Sequence, residues 1–305
     1  MKNNTKSVIT IIALIVAAIV IVGAIIGINL NRKEKVSEEK TRIVTSFYPV
    51  YIMTLNITDG AKDVEVLNMA EKLTGCIHEY SLTTADLKKF EDADIFIQNG
   101  AGLENFTQKI LDSYKSVKVI SAAEDVKNFI FEEEDGEEES NSHIWLSIEN
   151  YISETNKIAD KLCELDSKNA EVYKENREKY VAKLNDLKSK FDTLKNVKGM
   201  KAVCVDEALP YLLKEVGIEA EMVETDHEHS TVSAEEMKEL IDKMKSENIK
   251  SIFIQNTSES KMAQSLSDET GAKIYKINAA MNGEVDLNEY IDVMNSNYEL
   301  LKSIK

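Results

Sequence analysis

Ala93-Asp-Ile-Phe-Ile-Gln-Asn-Gly-Ala-Gly102 decides the fold. An apolar run too short for a helix passes straight into Asn-Gly-Ala-Gly, so it reads as a buried strand delivering the chain to a loop. Working outward, Arg42-Ile-Val-Thr-Ser-Phe47 reads as a first strand ending at Tyr48-Pro49, with a helix to about Thr58. Val64-Glu-Val-Leu67 is a second strand, Ser81–Phe90 a helix, and Val117-Lys-Val-Ile120 a fourth strand. Strands alternating with helical stretches of roughly 10–20 residues are the mark of parallel βαβ units.

The same alternation restarts far downstream. Lys201-Ala-Val-Cys-Val205, Glu219–Val223, Ser251–Gln255 and Lys273–Ile277 read as strands. Helices are expected over Ala208–Glu215, Ala234–Ser246, Lys261–Thr270 and from about Leu287. Between the two series, Ile148 to Leu194 contains no glycine or proline, and Ile158, Leu162, Tyr180, Leu184 and Leu187 recur at helical spacing. A helix of ~25 residues spans about 37 Å; Asp166-Ser167 is the one place where this stretch can break. The expected fold is α/β: two lobes, each a parallel sheet flanked by helices, joined by one long rigid helix. The lobes are residues 41–147 and 196–305, with 148–195 as the connecting helix.

Val8 to Leu30 carries no charged side chain. A bilayer core needs roughly 20 apolar residues as helix, more than the ~7–15 of a cleaved signal core. Residues 1–30 are therefore expected as a transmembrane anchor, with cleavage near Gly23, Ala24 or Gly27 as the alternative, and residues 31–40 as a polar linker. No cysteine lies near the end of this segment, which closes the lipoprotein route. Lys2 and Lys6 are balanced by Arg32, Lys33 and Lys35, so flanking charge does not set the orientation.

A formal net charge of −17 argues against nucleic acid or an anionic membrane surface as a partner and suits a body that attracts cations. Glu132-Glu-Glu-Asp-Gly-Glu-Glu-Glu139 repels itself and reads as a flexible solvated loop. Three widely spaced cysteines, Cys76, Cys163 and Cys204, do not make a disulfide framework; burial is the ordinary reading for Cys163 and Cys204.

The chain has only four histidines, and two stand at segment edges: His78 in Gly75-Cys-Ile-His-Glu-Tyr80, and His143 in Ser142-His-Ile-Trp-Leu146. Presented imidazoles on an exported body suggest a divalent metal. Ligands in open parallel sheets bind where strands end, and in two-lobed proteins between the lobes. Asp206 follows the strand that opens the second lobe, and Asn278 follows the strand ending at Ile277, so both lie where such a cleft recruits ligands.

These stretches together resemble the zinc- and manganese-binding proteins of metal-ion ABC importers, the cluster A-I substrate-binding family. Thr45-Ser-Phe-Tyr-Pro49 is similar to that family's opening strand, and Gly75–Asp86 to its first ligand loop. Asn99-Gly-Ala-Gly-Leu-Glu104, His143-Ile-Trp-Leu-Ser147, Glu207-Ala-Leu-Pro-Tyr211 and Glu269–Asn278 follow in the family's order and spacing. The resemblance implies metal ligands at His78, His143, Asp206 and Asn278, and a Zn²⁺ or Mn²⁺ cargo. It implies an ABC permease with its ATPase as partners, a monomer on the extracytoplasmic face, and no enzymatic activity. Two positions depart from the pattern: the third ligand is usually His or Glu, here Asp206, and the fourth is usually Asp followed by Pro, here Asn278 followed by Ala279. An amide in place of a carboxylate leaves a divalent site about one positive charge richer and weakens one donor. Asp226-His-Glu-His229 can supply a substitute ligand, and Glu207 is a further candidate. The rival readings are a metal-free adhesin or sensor, and a zinc hydrolase with Glu79 or Glu207 as base.

Overall fold

β1 (Thr41–Thr45) is the pivot of a first sheet, pairing in parallel with β2 (Val64–Asn68) on one side and β3 (Ile95–Gln98) on the other. β4 (Lys118–Ser121) extends the sheet beyond β3, giving the order β2-β1-β3-β4. The computed structural model describes residues 40–71, 73, 77, 80–134, 137–223 and 233–305.

A second parallel sheet repeats this plan. β7 (Lys201–Cys204) lies between β8 (Glu219–Met222) and β9 (Ser251–Gln255), with β10 (Lys273–Ile277) outside β9. Both sheets therefore reverse direction of winding at their first strand, and the crevices open beyond the carboxyl ends of β1/β3 and β7/β9. The chain's two prolines mark the equivalent places: Pro49 opens α1 (Tyr48–Thr58) after β1, and Pro210 opens the helix after β7. A fixed φ and no N–H suit proline to a first helical turn.

Thr83 and Asp86 form a reciprocal capping box at the start of α2 (Thr84–Glu91). A short α3 (Gln108–Ser113) follows β3; the sequence reading did not foresee it. The expected single connecting helix is two helices, α4 (Ile148–Leu165) and α5 (Ala170–Phe191). The break is held by Asp166, whose carboxylate accepts from Asn169 Nδ2 at 2.8 Å and from the Tyr173 hydroxyl at 2.7 Å. The helices then run back along each other: Arg177 reaches Asp160 at 2.5 Å, and the Tyr151 and Tyr180 hydroxyls lie 3.2 Å apart. A folded-back pair is stiffer than one long rod because each helix buries its apolar stripe on the other.

In the second half, α6 (Pro210–Glu215), α7 (Ala234–Ser246) and α8 (Lys261–Thr270) flank the sheet, and α9 (Glu289–Lys302) closes the chain. One apolar core runs through the whole body. Ile43 and Ile97 of the first sheet join it to Cys204, Phe253 and Ile277 of the second, through Trp145, Tyr151 and Tyr290. Thr41–Lys305 forms one compact unit.

The acidic run, expected as a flexible loop, forms an antiparallel pair, β5 (Phe131–Glu134) and β6 (Glu137–Ser140). Its register sets Glu132 opposite Glu139, Glu133 opposite Glu138 and Glu134 opposite Glu137. Among the described residues no helix is long and apolar enough to cross a membrane. The expected anchor at Val8–Leu30 and most of the linker lie outside the described residues, as do Cys76, His78, Glu79, His227 and His229. Cys204 is buried as expected, and Cys163 is half-buried.

Candidate metal centre

His143 is buried at the head of a 3₁₀ turn, Ile144–Leu146, that leads into α4. Asn141 sets its imidazole. The Asn141 side chain donates from Nδ2 to the Glu207 carbonyl at 2.8 Å, so its Oδ1 is the atom that faces His143. That oxygen accepts the His143 backbone N–H at 2.9 Å and lies 3.2 Å from Nδ1. An amide oxygen only accepts, so Nδ1 carries a proton, and Nε2 is the ring nitrogen turned toward Glu207. Orienting a ligating histidine through its other nitrogen is what a metal site requires.

Nε2 faces a carboxylate across the seam between the sheets: Glu207 Oε1 lies 3.7 Å away. That is too long for a hydrogen bond. Two ligands at about 2.0–2.2 Å from one tetrahedral ion stand about 3.3–3.6 Å apart, so the gap is close to the width of a shared cation.

The two departures from the family pattern are placed as follows. Asp206 stands two residues past the end of β7, and its Oδ1 accepts the Ala208 N–H at 3.1 Å. Burial raises its pKa, and the amides of Ala208 and Gln255 pull it back down. Asn278 directly follows β10. Asn297 clasps it by both backbone groups, accepting its N–H at 3.0 Å and donating to its carbonyl at 2.8 Å, and its own Oδ1 accepts the Ala280 N–H at 2.9 Å. Both side chains thus spend one acceptor position on a local turn.

Trp145 brings these segments together. Its indole N–H donates to the Ala279 carbonyl at 2.8 Å, beside Asn278, and its carbonyl accepts the Tyr290 hydroxyl at 2.8 Å. Its ring packs edge-on against Phe47, just past β1, with centroids 4.8 Å apart. Tyr211, at the start of α6, donates its hydroxyl to the Asn141 carbonyl at 2.7 Å. Strand ends from both sheets are therefore bonded to the His143 turn, bringing the Asp206 and Asn278 segments to it. Around His78, the described neighbours are fixed: Ile77 is fully buried, and the Tyr80 N–H donates to its carbonyl at 3.0 Å. Among the described residues no three His, Cys, Asp or Glu side chains gather closely enough to hold a metal, and the pair they do supply is His143 with Glu207. The sequence offers Glu207 as a further candidate beside Asp206; in the fold its backbone carbonyl is held by Asn141, 66 positions away, and its carboxylate lies 3.7 Å from His143 Nε2.

Two parallel sheets of one strand order, sharing a core and holding a tautomer-fixed histidine at their seam, define a two-sheet α/β solute-binding protein. The chain belongs to the family described as zinc-uptake complex component A, periplasmic, whose profile matches residues 43–304. This is a family of transporter substrate-binding proteins and not of enzymes. It is 27% identical over 285 residues to the high-affinity zinc uptake system protein ZnuA of Bacillus subtilis (strain 168), covering 87% of each chain. It is 29% identical over 286 residues to the zinc-binding lipoprotein AdcA of Streptococcus pneumoniae, where it spans 56% of that relative's length. The structure of the SBP FpvC from Pseudomonas aeruginosa in complex with Mn²⁺ superposes with a TM-score of 0.74 at 26% identity, covering 86% of this chain and 97% of that one.

Proposed function

We propose that this protein is the extracytoplasmic solute-binding component of a metal-ion ABC importer, and that it captures Zn²⁺ or Mn²⁺ at the seam between its sheets for delivery to a permease and its ATPase. One observation carries the reading: His143, held through Nδ1 by Asn141, brings Nε2 to 3.7 Å from Glu207 Oε1. His78 supplies a second imidazole, and Asp206 and Asn278 complete the set of donors. Charge balance gives Glu207 its importance. Two neutral imidazoles, one carboxylate and one amide leave a divalent complex at about +1, whereas carboxylates at both 206 and 207 make it neutral. His and carboxylate donors suit both Zn²⁺ and Mn²⁺.

The body is rigid by construction, because one core joins both sheets and α4 and α5 brace each other. Residues 41–147 and 196–305 serve as the two lobes, with residues 148–195 between them. Capture then proceeds by small movements of the seam. We assign residues 8–30 as an uncleaved helix holding the body at the outer membrane face. Some relatives are named lipoproteins, while the cysteines of this chain stand at 76, 163 and 204, none beside the apolar run. Titration of the full chain in detergent with Zn²⁺ and with Mn²⁺ tests the reading. One ion per chain is expected, and His143→Ala should remove most of the affinity. Unchanged affinity in that variant would overturn the site.

A further inference from the structure

The rim of the first sheet carries a backbone that needs holding. Gly100, Ala101 and Gly102 follow β3 with φ of 83°, 54° and 83°, three left-handed residues in succession. For the alanine this costs about 1–2 kcal/mol. A Cβ on Gly100 would run into the Ser121 hydroxyl, so the turn is also tightly enclosed. Glu104 pins it: Oε1 accepts the Asn99 N–H at 2.6 Å and Oε2 accepts the Gly100 N–H at 3.0 Å. Asn99 passes the constraint on, donating from Nδ2 to the Ser142 carbonyl at 3.0 Å. Ser142 directly precedes His143. A carboxylate with no contact to the metal centre thus fixes the backbone that presents its histidine.

Glu104 has an unusual neighbour. Glu154, on α4, is fully buried, and among the described residues neither of its carboxyl oxygens has a hydrogen-bond partner. Among the described residues, the titratable groups that act on it electrostatically are Glu104 from the rim loop, Tyr151 from its own helix and Tyr290 from α9. All three are acids. Burial, and then the Glu104 charge, push the Glu154 pKa well above the usual carboxylate range, which keeps it a neutral acid. Glu104 itself is pushed up to about 7 by burial, opposed by the Ser46 hydroxyl and the amides of Gly100 and Asn99.

We propose that Glu104 and Glu154 form a buried carboxyl pair that positions His143 through Asn99 and Ser142, and that the pair does so only while Glu154 keeps its proton. With Glu154 neutral, Glu104 ionises and grips both amides of the strained turn. When Glu154 also loses its proton, two like charges face each other. Separating them moves Glu104, the left-handed turn relaxes, and Asn99 releases Ser142. The metal site then loosens at alkaline pH by a route independent of its own ligands.

The effect on metal rests on the metal-binding reading, whereas the effect on the fold does not. A carboxyl whose pKa is raised on folding contributes stability that is complete below its unfolded value and lost as pH rises through its folded value. Stability should therefore fall from about pH 5 upward, past pH 7 for Glu104 and further for Glu154.

The test uses the full chain in detergent micelles. Thermal midpoints of the metal-free protein are recorded from pH 5 to 9.5 for wild type, Glu154→Gln and Glu154→Met. Zn²⁺ affinity is measured at the same pH values by competition with a chelator of known proton linkage. Wild type should lose stability as pH rises and should lose Zn²⁺ affinity between pH 7.5 and 9.5. Both Glu154 variants should flatten the two slopes above about pH 7, while the part of the stability slope that belongs to Glu104 remains; a purely structural role would not change the pH profile in this way. Glu104→Gln, with one acceptor oxygen for two amides, should bind Zn²⁺ more weakly at every pH. Wild-type slopes in the Glu154 variants that fold overturn the proposal. A wild type that shows the stability slope but binds no Zn²⁺ overturns the metal-binding reading and the positioning of a ligand, and leaves the acid pair as a stability device.

Discussion

Asn141→Ala separates the orientation of His143 from its mere presence. The substitution removes the acceptor of the His143 N–H and of Nδ1–H, and the donor to the Glu207 carbonyl. A buried backbone group left unpaired costs about 1–3 kcal/mol, and the Glu207 carbonyl is only partly buried, so the fold should lose about 2–4 kcal/mol. For a body of this size that lowers the melting midpoint by roughly 5–10 °C. The larger signature is in binding. Without Oδ1 the ring can rotate, and the proton can sit on Nε2, the nitrogen that has to ligate. Loss of such an outer partner typically weakens metal binding by about 10–100-fold, or about 1.4–2.7 kcal/mol. Asn141→Asp keeps an acceptor for Nδ1–H and loses only the donor to Glu207, so its Zn²⁺ affinity should stay nearer wild type. Competition titration of the three proteins at pH 7.5, with melting curves alongside, makes the measurement. Asn141→Ala with lowered stability and affinity within twofold of wild type would refute the reasoning, because Asn141 would then brace the fold without setting the ring.

The other expectations are simpler. Trp145→Phe leaves the Ala279 carbonyl without its donor and should cost about 1–3 kcal/mol in a denaturant melt; no loss would mean that the Trp145 link does not join the segments. Asn278→Asp restores a carboxylate at the fourth position, so Zn²⁺ affinity should rise. If it stays level while His227→Ala or His229→Ala is damaging, the 226–229 segment supplies the ligand instead. Zn²⁺ binding should weaken below about pH 6, where imidazole takes up protons and no longer ligates; a flat acid limb in the chelator titration would exclude histidine ligands. Protease added to intact cells should digest the body while the N-terminal segment stays with the membrane; full protection would place the body on the other side.

Much of the fold is legible because buried parallel strands leave short apolar runs. Ile43-Val44 and Ile95-Phe96-Ile97 are almost wholly buried, and each run ends at a turn signal. The break between α4 and α5 was legible only as a weak point. What turns the chain there is side-chain chemistry, the hold of Asp166 on Asn169 and Tyr173, which periodicity does not encode. The β5–β6 pair was invisible for another reason: a run of acids has no polar–apolar alternation for a period of two to appear in. At the site, His143 was legible from its motif. Glu207 was legible only as a further candidate, since its approach to His143 Nε2 exists only in the folded chain. The burial of Glu154 was not legible, since no charged partner or motif in the sequence marks it.

Anomalous diffraction from crystals of the protein grown with Zn²⁺ tests the central claim most directly, by locating the ion without reference to any binding curve. The account predicts one strong peak at the seam, within about 2.0–2.2 Å of His143 Nε2 and of a Glu207 carboxylate oxygen. A peak away from His143, or a seam without one at saturating Zn²⁺, would contradict it.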